Sequence, residues 1–379
     1  MRCLHEFIKF TPMKPNGKSS RKQSALHEQP GVERENPVNH ELAGQLGQRR
    51  QLPDVKMLVR GILEGDRAML SRAITVVESA SHQHFKLASQ IVSSCLPHAG
   101  HSVRIGITGV PGVGKSTFIE ALGTTLTQSG KKVAVLAVDP SSTISHGSIL
   151  GDKTRMQDLV RDPNAYIRPS PSGETLGGVA RKTREAIILC EAAGFDVILI
   201  ETVGVGQSET AVHSMTDFFL LLKITGAGDE LQGIKRGIME MADAVVINKA
   251  DGENQKRASL AKTEFNRALH FFPPRESGWQ PVALTCSSVT REGIGEVWDT
   301  IEKYVGEASA SDYFNHKRSE QNRYWMLETI NSRLTSDFYS HPGIKELLSR
   351  ATHDVGQGKI SPFAAAQMLL DAYLKDQSS

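Results

Sequence analysis

The sequence is short of the features that mark several functional classes. Aromatic residues make up only 6% of the 379-residue chain, and cysteine occurs four times. Cys3, Cys95, Cys190 and Cys286 lie far apart and none forms a CxxC pair. That spacing argues against a zinc knuckle and a disulfide framework and fits a reducing, intracellular setting. No apolar stretch approaches the ~18–20 residues that a membrane-spanning helix requires. An excess of one charge is also missing. Lys and Arg number 44 against 42 Asp and Glu, a net +2, so the overall balance points neither to nucleic acid nor to an anionic membrane. What remains is 39% hydrophobic and 23% charged, enough to bury a sizeable core and outside the range of a globally disordered chain.

The patterning divides the chain into four parts. Residues 1–53 read as a disordered tail. Its first 27 residues hold six Lys/Arg and one acid, Glu6, and residues 28–50 are rich in Glu, Asn, Gln, Gly and Pro without helical or strand period. Residues 54–100 read as a small helical segment. Leu58, Val59, Ile62 and Leu63 share one helix face. Asp66 is placed to cap a second helix carrying Leu70, Ile74 and Val77, and Phe85, Leu87, Ile91 and Val92 suggest a third. Over 101–308 short apolar runs, at Val103–Thr108, Val133–Val138, Val197–Ile200, Phe218–Ile224, Ala244–Ile247 and Val282–Thr285, alternate with amphipathic stretches at 115–129, 176–193, 229–242 and 255–270. That alternation predicts an α/β domain, a doubly wound and mostly parallel sheet covered on both faces. Residues 309–379 read as helices over 317–337, 343–353 and 361–375, with Pro342 and Pro362 at two starts.

The strongest motif is Gly109-Val110-Pro111-Gly112-Val113-Gly114-Lys115-Ser116-Thr117. It is a GxxxxGK[ST] loop between a strand pattern and a helix pattern, the context a phosphate-binding P-loop needs. Glycines let backbone N–H groups turn around phosphate oxygens, and the following helix adds its positive end. Lys115 brings charge to the β- and γ-phosphates, and Ser116 offers a hydroxyl to Mg²⁺.

Asn248-Lys249-Ala250-Asp251 follows the run Ala244–Ile247 and matches NKxD, the guanine-specificity motif of GTPases. The Asp251 carboxylate is suited to the N1–H and exocyclic amine of guanine, a pair that adenine does not present. Asn248 is expected to brace the P-loop, and the Lys249 stem to lie over the base. Thr285-Cys286-Ser287-Ser288 resembles a base loop, with Ser287 expected to offer its backbone to guanine O6. Glu201-Thr202-Val203-Gly204 stands where GTPases carry DxxG, so Glu201 is a candidate Mg²⁺ neighbour. Val205 follows that glycine where Ras-like proteins have a water-positioning Gln, and Gln207 lies two residues further. Slow unassisted hydrolysis is therefore expected. Asp139 and Asp152 are further acids near a triphosphate, and acids there call for a cation. The polar loop 226–235 enters a helix on the ligand side of the sheet and has the character of a switch segment.

Taken together, the stretches GVPGVGKSTFIE, VAVLAVDPSST, GSILGDKTRM, IRPSPSGETLGGVA, ILIETVGVGQSE and GDELQGIKRGI closely resemble the MeaB/ArgK/MMAA family. These are P-loop GTPases that chaperone adenosylcobalamin-dependent methylmalonyl-CoA mutase. The resemblance runs from about Met57 to the C-terminus. It implies a GTPase core with helical N- and C-terminal extensions, GTP/GDP as ligand, and a homodimer formed largely through the C-terminal helices. It also implies an Mg²⁺ neighbourhood of Ser116, Asp139, Asp152 and Glu201. Lys115 is the implied catalytic cation, with Gln232 and Lys235 moving toward the nucleotide when the mutase is bound. Ser145-His146 departs from the Gly-containing pair usual before Gly147. A cytoplasmic location is expected, the mitochondrial matrix being the alternative that the basic start permits. Three other readings compete. A metal-insertion GTPase would need a Cys cluster or His-rich tract, whereas His82/His84 and His98/His101 are sparse pairs. A kinase of amino-acid transport (LAO/AO) binding proteins fits poorly with NKxD, which favours GTP over ATP. A scaffold would bind GTP without turning it over.

Overall fold

In the computed structural model, residues 54–79, 81–138, 156–169, 176–202, 208–225, 236–273 and 275–376 are described. The 1–53 tail falls outside them. Three helices open the described chain: α1 (Val55–Leu63), α2 (Arg67–Glu78) and α3 (His82–Cys95). The Asp66 carboxylate caps α2 as its position suggested, accepting from Ala68 N at 2.7 Å and Met69 N at 3.2 Å.

The strands and helices then alternate: β1 (Val103–Gly109), α4 (Lys115–Gln128), β2 (Val133–Val138), α5 (Gln157–Arg161), β3 (Ala165–Arg168), α6 (Leu176–Ala192), β4 (Val197–Thr202), α7 (Ser208–His213), β5 (Phe218–Lys223), α8 (Arg236–Met241), β6 (Ala244–Ile247), α9 (Gln255–Leu269), β7 (Val282–Thr285) and α10 (Ile294–Ala310). The sheet order is β3-β2-β4-β1-β5-β6-β7, and every strand pair is parallel. The six expected strands are all present. β3, α5, α7 and α10 go beyond the sequence expectations; β3 is a four-residue edge strand, and α5 and α7 are helices of five and six residues, too short to show a period. The expected helix over 229–242 is described only as α8, its first half lying outside the described residues.

Strand alternation sorts the core onto two faces. Val197 and Leu199 of β4 join Ile105 and Ile107 of β1 against α4 and α10. Ile198 and Ile200 point the other way, where Leu58, Ile62, Leu70 and Ile74 of the leading helices meet Ile187 and Cys190 of α6. The N-terminal helices thus cover one sheet face. Among the described residues no helix is long and apolar enough to cross a membrane.

Three helices close the chain: α11 (Tyr313–Ser340), α12 (Pro342–Gly356) and α13 (Pro362–Asp376). A buried ionic network joins α11 to the N-terminal edge of the sheet. The Arg318 guanidinium donates to both oxygens of Asp217, at 2.9 and 2.7 Å, and to Ser102 O at 2.6 Å. Asp217 also accepts from Arg104 N at 2.8 Å, and Arg104 forms a two-pronged pair with Glu191, both bonds 2.9 Å. Gln321 and Trp325, on the next turns of α11, donate to Thr216 O and Ser214 O. The Asp217 side chain is only 1% exposed, so removal of its partner strands a carboxylate away from water. Arg318→Ala is expected to cost about 3–5 kcal/mol, read from chemical denaturation; a loss under about 1 kcal/mol contradicts this account of how α11 is held.

Candidate nucleotide site

Because all strands are parallel, their C-terminal ends meet at one edge, where such sheets bind ligands. Register sets the level: Gly109 lies opposite Leu222, Lys223 opposite Ile247, and Ile247 opposite Thr285. The segments that follow β1, β6 and β7 therefore start side by side.

The loop after β1 needs its glycines for reasons the structure makes explicit. A Cβ on Gly109 would lie 2.6 Å from Leu222 O, and one on Gly114 2.9 Å from Asn248 Nδ2. Gly114 has φ 93° and precedes α4, whose first residue is Lys115. No side chain caps α4, so its positive end remains open to an anion. The buried Lys115 ammonium donates to Gly109 O at 2.8 Å and Val110 O at 3.4 Å, closing the loop on itself.

Glu201 shares the β4 face with Val197 and Leu199, the side covered by α4. Its Oε1 accepts from the Ser116 hydroxyl at 3.2 Å, and both residues are 8% exposed. Two of the four residues expected near Mg²⁺, Ser116 and Glu201, are thus hydrogen-bonded to one another. Thr202, on the opposite face, donates to the Thr108 hydroxyl at 2.9 Å; both are buried. This tie between the ends of β1 and β4 has no signature in the sequence, since isolated threonines in strands carry no spacing signal.

The loop after β6 grips the P-loop from outside. Asn248 Nδ2 donates to Val113 O at 3.0 Å, and Lys249 Nζ donates to Gly112 O at 3.0 Å. Asn248 Oδ1 accepts from Lys249 N at 2.8 Å, from Ser288 Oγ at 2.8 Å and from Ser288 N at 3.2 Å, with Cys286 Sγ 3.6 Å away. These donors fix which way the amide faces, so Ser288 and Cys286 orient the asparagine from β7. Burial pushes the Cys286 thiol up to about 12, partly offset by the Ser288 hydroxyl, so it stands protonated at neutral pH.

Ser287 departs from its expected part. Its backbone N–H donates to Glu292 O at 2.9 Å within its own loop, so it is not left over for a base. Its hydroxyl instead donates to Asp251 Oδ2 and accepts from Thr290 N at 3.1 Å. Ser287 thus meets the Asp251 carboxylate through its side chain. Thr117 follows Ser116 in the first turn of α4, and Val110 and Pro111 are exposed at the tip of the loop. Asp139, Asp152, Gln232 and Lys235 lie outside the described residues, as do Ser145-His146, Val205, Gln207 and the 226–235 loop. Among the described residues no group of three or more His, Cys, Asp or Glu is placed to hold a metal; the Ser116–Glu201 pair is a hydroxyl and a carboxylate.

A doubly wound parallel sheet with a P-loop on β1 and NKxD on β6 defines the class of P-loop GTPases. The sequence profile of the methylmalonyl-CoA mutase-associated GTPase MeaB matches residues 70–342, and the chain belongs to that family. A probable GTPase of Mycobacterium tuberculosis is 51% identical over 314 residues, covering 83% of this chain and 94% of the relative. The mouse methylmalonic aciduria type A homolog, mitochondrial, is 47% identical over 329 residues, 84% of this chain and 79% of the relative. Among solved structures, a LAO/AO transport system kinase superposes with a TM-score of 0.67 at 36% identity, covering 84% of this chain and 97% of that one. The protein is therefore a GTPase, a hydrolase of the GTP phosphoanhydride.

Gly114→Ala tests the grip of the β6 loop on the P-loop. The strained φ is expected to cost about 1–2 kcal/mol of stability. Displacement of the Asn248 amide is expected to weaken GDP binding about tenfold or more, measured by calorimetry. An unchanged affinity contradicts the assigned contact.

Proposed function

We propose that this GTPase is the chaperone of an adenosylcobalamin-dependent methylmalonyl-CoA mutase, gating cofactor loading and protecting the mutase from inactivation. The reading rests on one observation, the match of residues 70–342 to the family described as mutase-associated. The mouse relative carries the name of a methylmalonic aciduria protein, which supports the same client.

In this reading the P-loop Gly109–Gly114 and the start of α4, Lys115, Ser116 and Thr117, hold the phosphates. Lys115 leaves the carbonyls of Gly109 and Val110 for the β- and γ-phosphate oxygens. Asp251 accepts from the guanine N1–H and amine, Ser287 holds that carboxylate, and the Lys249 stem covers the base. Ser116 and Glu201 form an all-oxygen donor pair of the kind that suits Mg²⁺, with Asp139 and Asp152 as further ligands or water-mediated neighbours. Bound there, the ion supplies positive charge to the phosphates. Water attacks the γ-phosphate in line, and Lys115 stabilises the charge that develops. Val205 offers no polar atom to orient that water, so the partner completes the site by bringing Gln232 and Lys235 to it.

The homodimer is proposed through the C-terminal helices. Leu327, Ile330 and Leu334 of α11 and Phe363, Leu370 and Leu374 of α13 are exposed apolar side chains, and such surface commonly marks an interface.

The test is phosphate release from GTP, with ATP as control, in the presence and absence of the mutase. The free protein is expected to turn over GTP at about 10⁻⁴–10⁻³ s⁻¹, the intrinsic Ras range. The mutase is expected to raise that at least tenfold, ATP to give nothing, and Lys115→Ala to lose turnover in both conditions. GTP turnover that the mutase leaves unchanged removes the client from the proposal. Several turnovers per second without a partner contradict the mechanism.

A further inference from the structure

Lys249 is held in a backbone conformation that non-glycine residues avoid. Its φ is 59°, in the left-handed region where a side chain costs roughly 1–2 kcal/mol. Lys249 lies inside the base motif, and the path of the chain through it decides where Asp251 stands. Its backbone is tied on both sides. Its N–H donates to Asn248 Oδ1 at 2.8 Å, and its carbonyl accepts from Asn254 Nδ2 at 2.7 Å.

Asn254 is outside the NKxD motif and directly precedes α9. Asparagine at a helix start usually serves by capping, yet the Asn254 side chain makes no cap bond. Both ends of its amide are engaged elsewhere. The nitrogen donates to Lys249 O, and the oxygen accepts from the hydroxyl of Thr225, two residues beyond the end of β5. The amide therefore links the end of β5 to the left-handed residue of the base loop. Asn254 N also donates to Asp251 O at 3.0 Å, closing the short turn that contains the base-reading carboxylate.

We propose that Asn254 is a positioning residue for base discrimination, acting through Lys249. By holding the Lys249 carbonyl and the Thr225 hydroxyl together, it keeps Lys249 left-handed and so aims the Asp251 carboxylate at the purine edge. The inference rests on the guanine reading of the site and is independent of the client, so failure of the mutase assay leaves it standing.

The test is binding of GDP and inosine diphosphate to the full chain by calorimetry. Inosine lacks the exocyclic amine, so the ratio of the two affinities reports how well Asp251 is aimed. Asn254→Asp keeps the shape, still accepts from Thr225 and places a negative charge at the start of α9, where it is favoured. It lacks the donor to Lys249 O. It is expected to weaken GDP binding about 5–10-fold, the scale of one hydrogen bond, and to weaken inosine diphosphate binding by a smaller factor of about 2–3, because inosine keeps the N1–H that Asp251 also reads and lacks only the amine. The loss appears in the KM for GTP and leaves kcat in place, and the melting temperature does not fall. Asn254→Ala lowers the GDP preference at least as far and serves if the Asp variant is poorly folded, and Thr225→Val lowers it by about 2–3-fold. Equal weakening of both nucleotides by Asn254→Asp, which a merely structural role produces, overturns the proposal. So does an unchanged GDP affinity, or a wild-type protein that binds the two nucleotides alike.

Discussion

The Asn248 carboxamide is the contact on which the site depends. It reaches from the end of β6 to Val113 O in the P-loop, and its oxygen collects donors from Lys249, Ser288 and the neighbouring Cys286. Its residue is 1% exposed, so each bond is made where water offers little competition. The phosphate loop and the base loop are consequently one assembly, although they are separated by well over a hundred residues of chain. The parallel register makes the contact possible, because it brings the ends of β1, β6 and β7 to one level.

The other edge of the sheet is organised by charge. Asp217 precedes β5 and Ser102 precedes β1, and Arg318 of α11 binds both. The first of the C-terminal helices, α11, is thus anchored at the N-terminal ends of the strands, opposite the nucleotide edge. A buried ion pair of this kind contributes little net stability over an apolar contact of equal volume. What it provides is a fixed attachment, since a guanidinium with several partners in a plane has few alternative seats. Leu327, Ile330 and Leu334 are exposed apolar side chains on the helix anchored in this way, while Ala365 and Leu369 of α13 pack with Ala351 of α12.

Much of this was legible from residue order because the decisive signals are local. A GxxxxGK[ST] run between strand and helix patterns fixes the β1–α4 corner, and NKxD fixes the end of β6. Asp66 caps α2 where its spacing placed it. Contacts between distant segments were not legible. Thr108 and Thr202 are each an ordinary strand residue until register sets them together. Ser287 and Ser288 are adjacent serines in one short run. Only the loop's own hydrogen bonding, with Ser287 N given to Glu292 O, shows that Ser287 serves through its hydroxyl and Ser288 through its bonds to Asn248. β3 escaped for a different reason, as four residues at a sheet edge give too few alternations to count.

Glu201 shows how a departure from a motif is absorbed by geometry. The acid in DxxG is usually shorter by one methylene. Here Glu201 is fixed in the sheet between Ile107 and Ala137, and the longer side chain brings its oxygen to 3.2 Å from the Ser116 hydroxyl. The carboxylate therefore still meets the hydroxyl at the start of α4, and oxygen ligation of a hard cation is retained in chemical terms. Val205 is a departure of another kind. No repositioning turns an isopropyl group into a hydrogen-bond partner for water, so rapid hydrolysis requires a polar group from elsewhere. A GTPase whose binding site is assembled in its own fold, but whose water is oriented from outside that motif, has its turnover set by encounter with whatever completes the site.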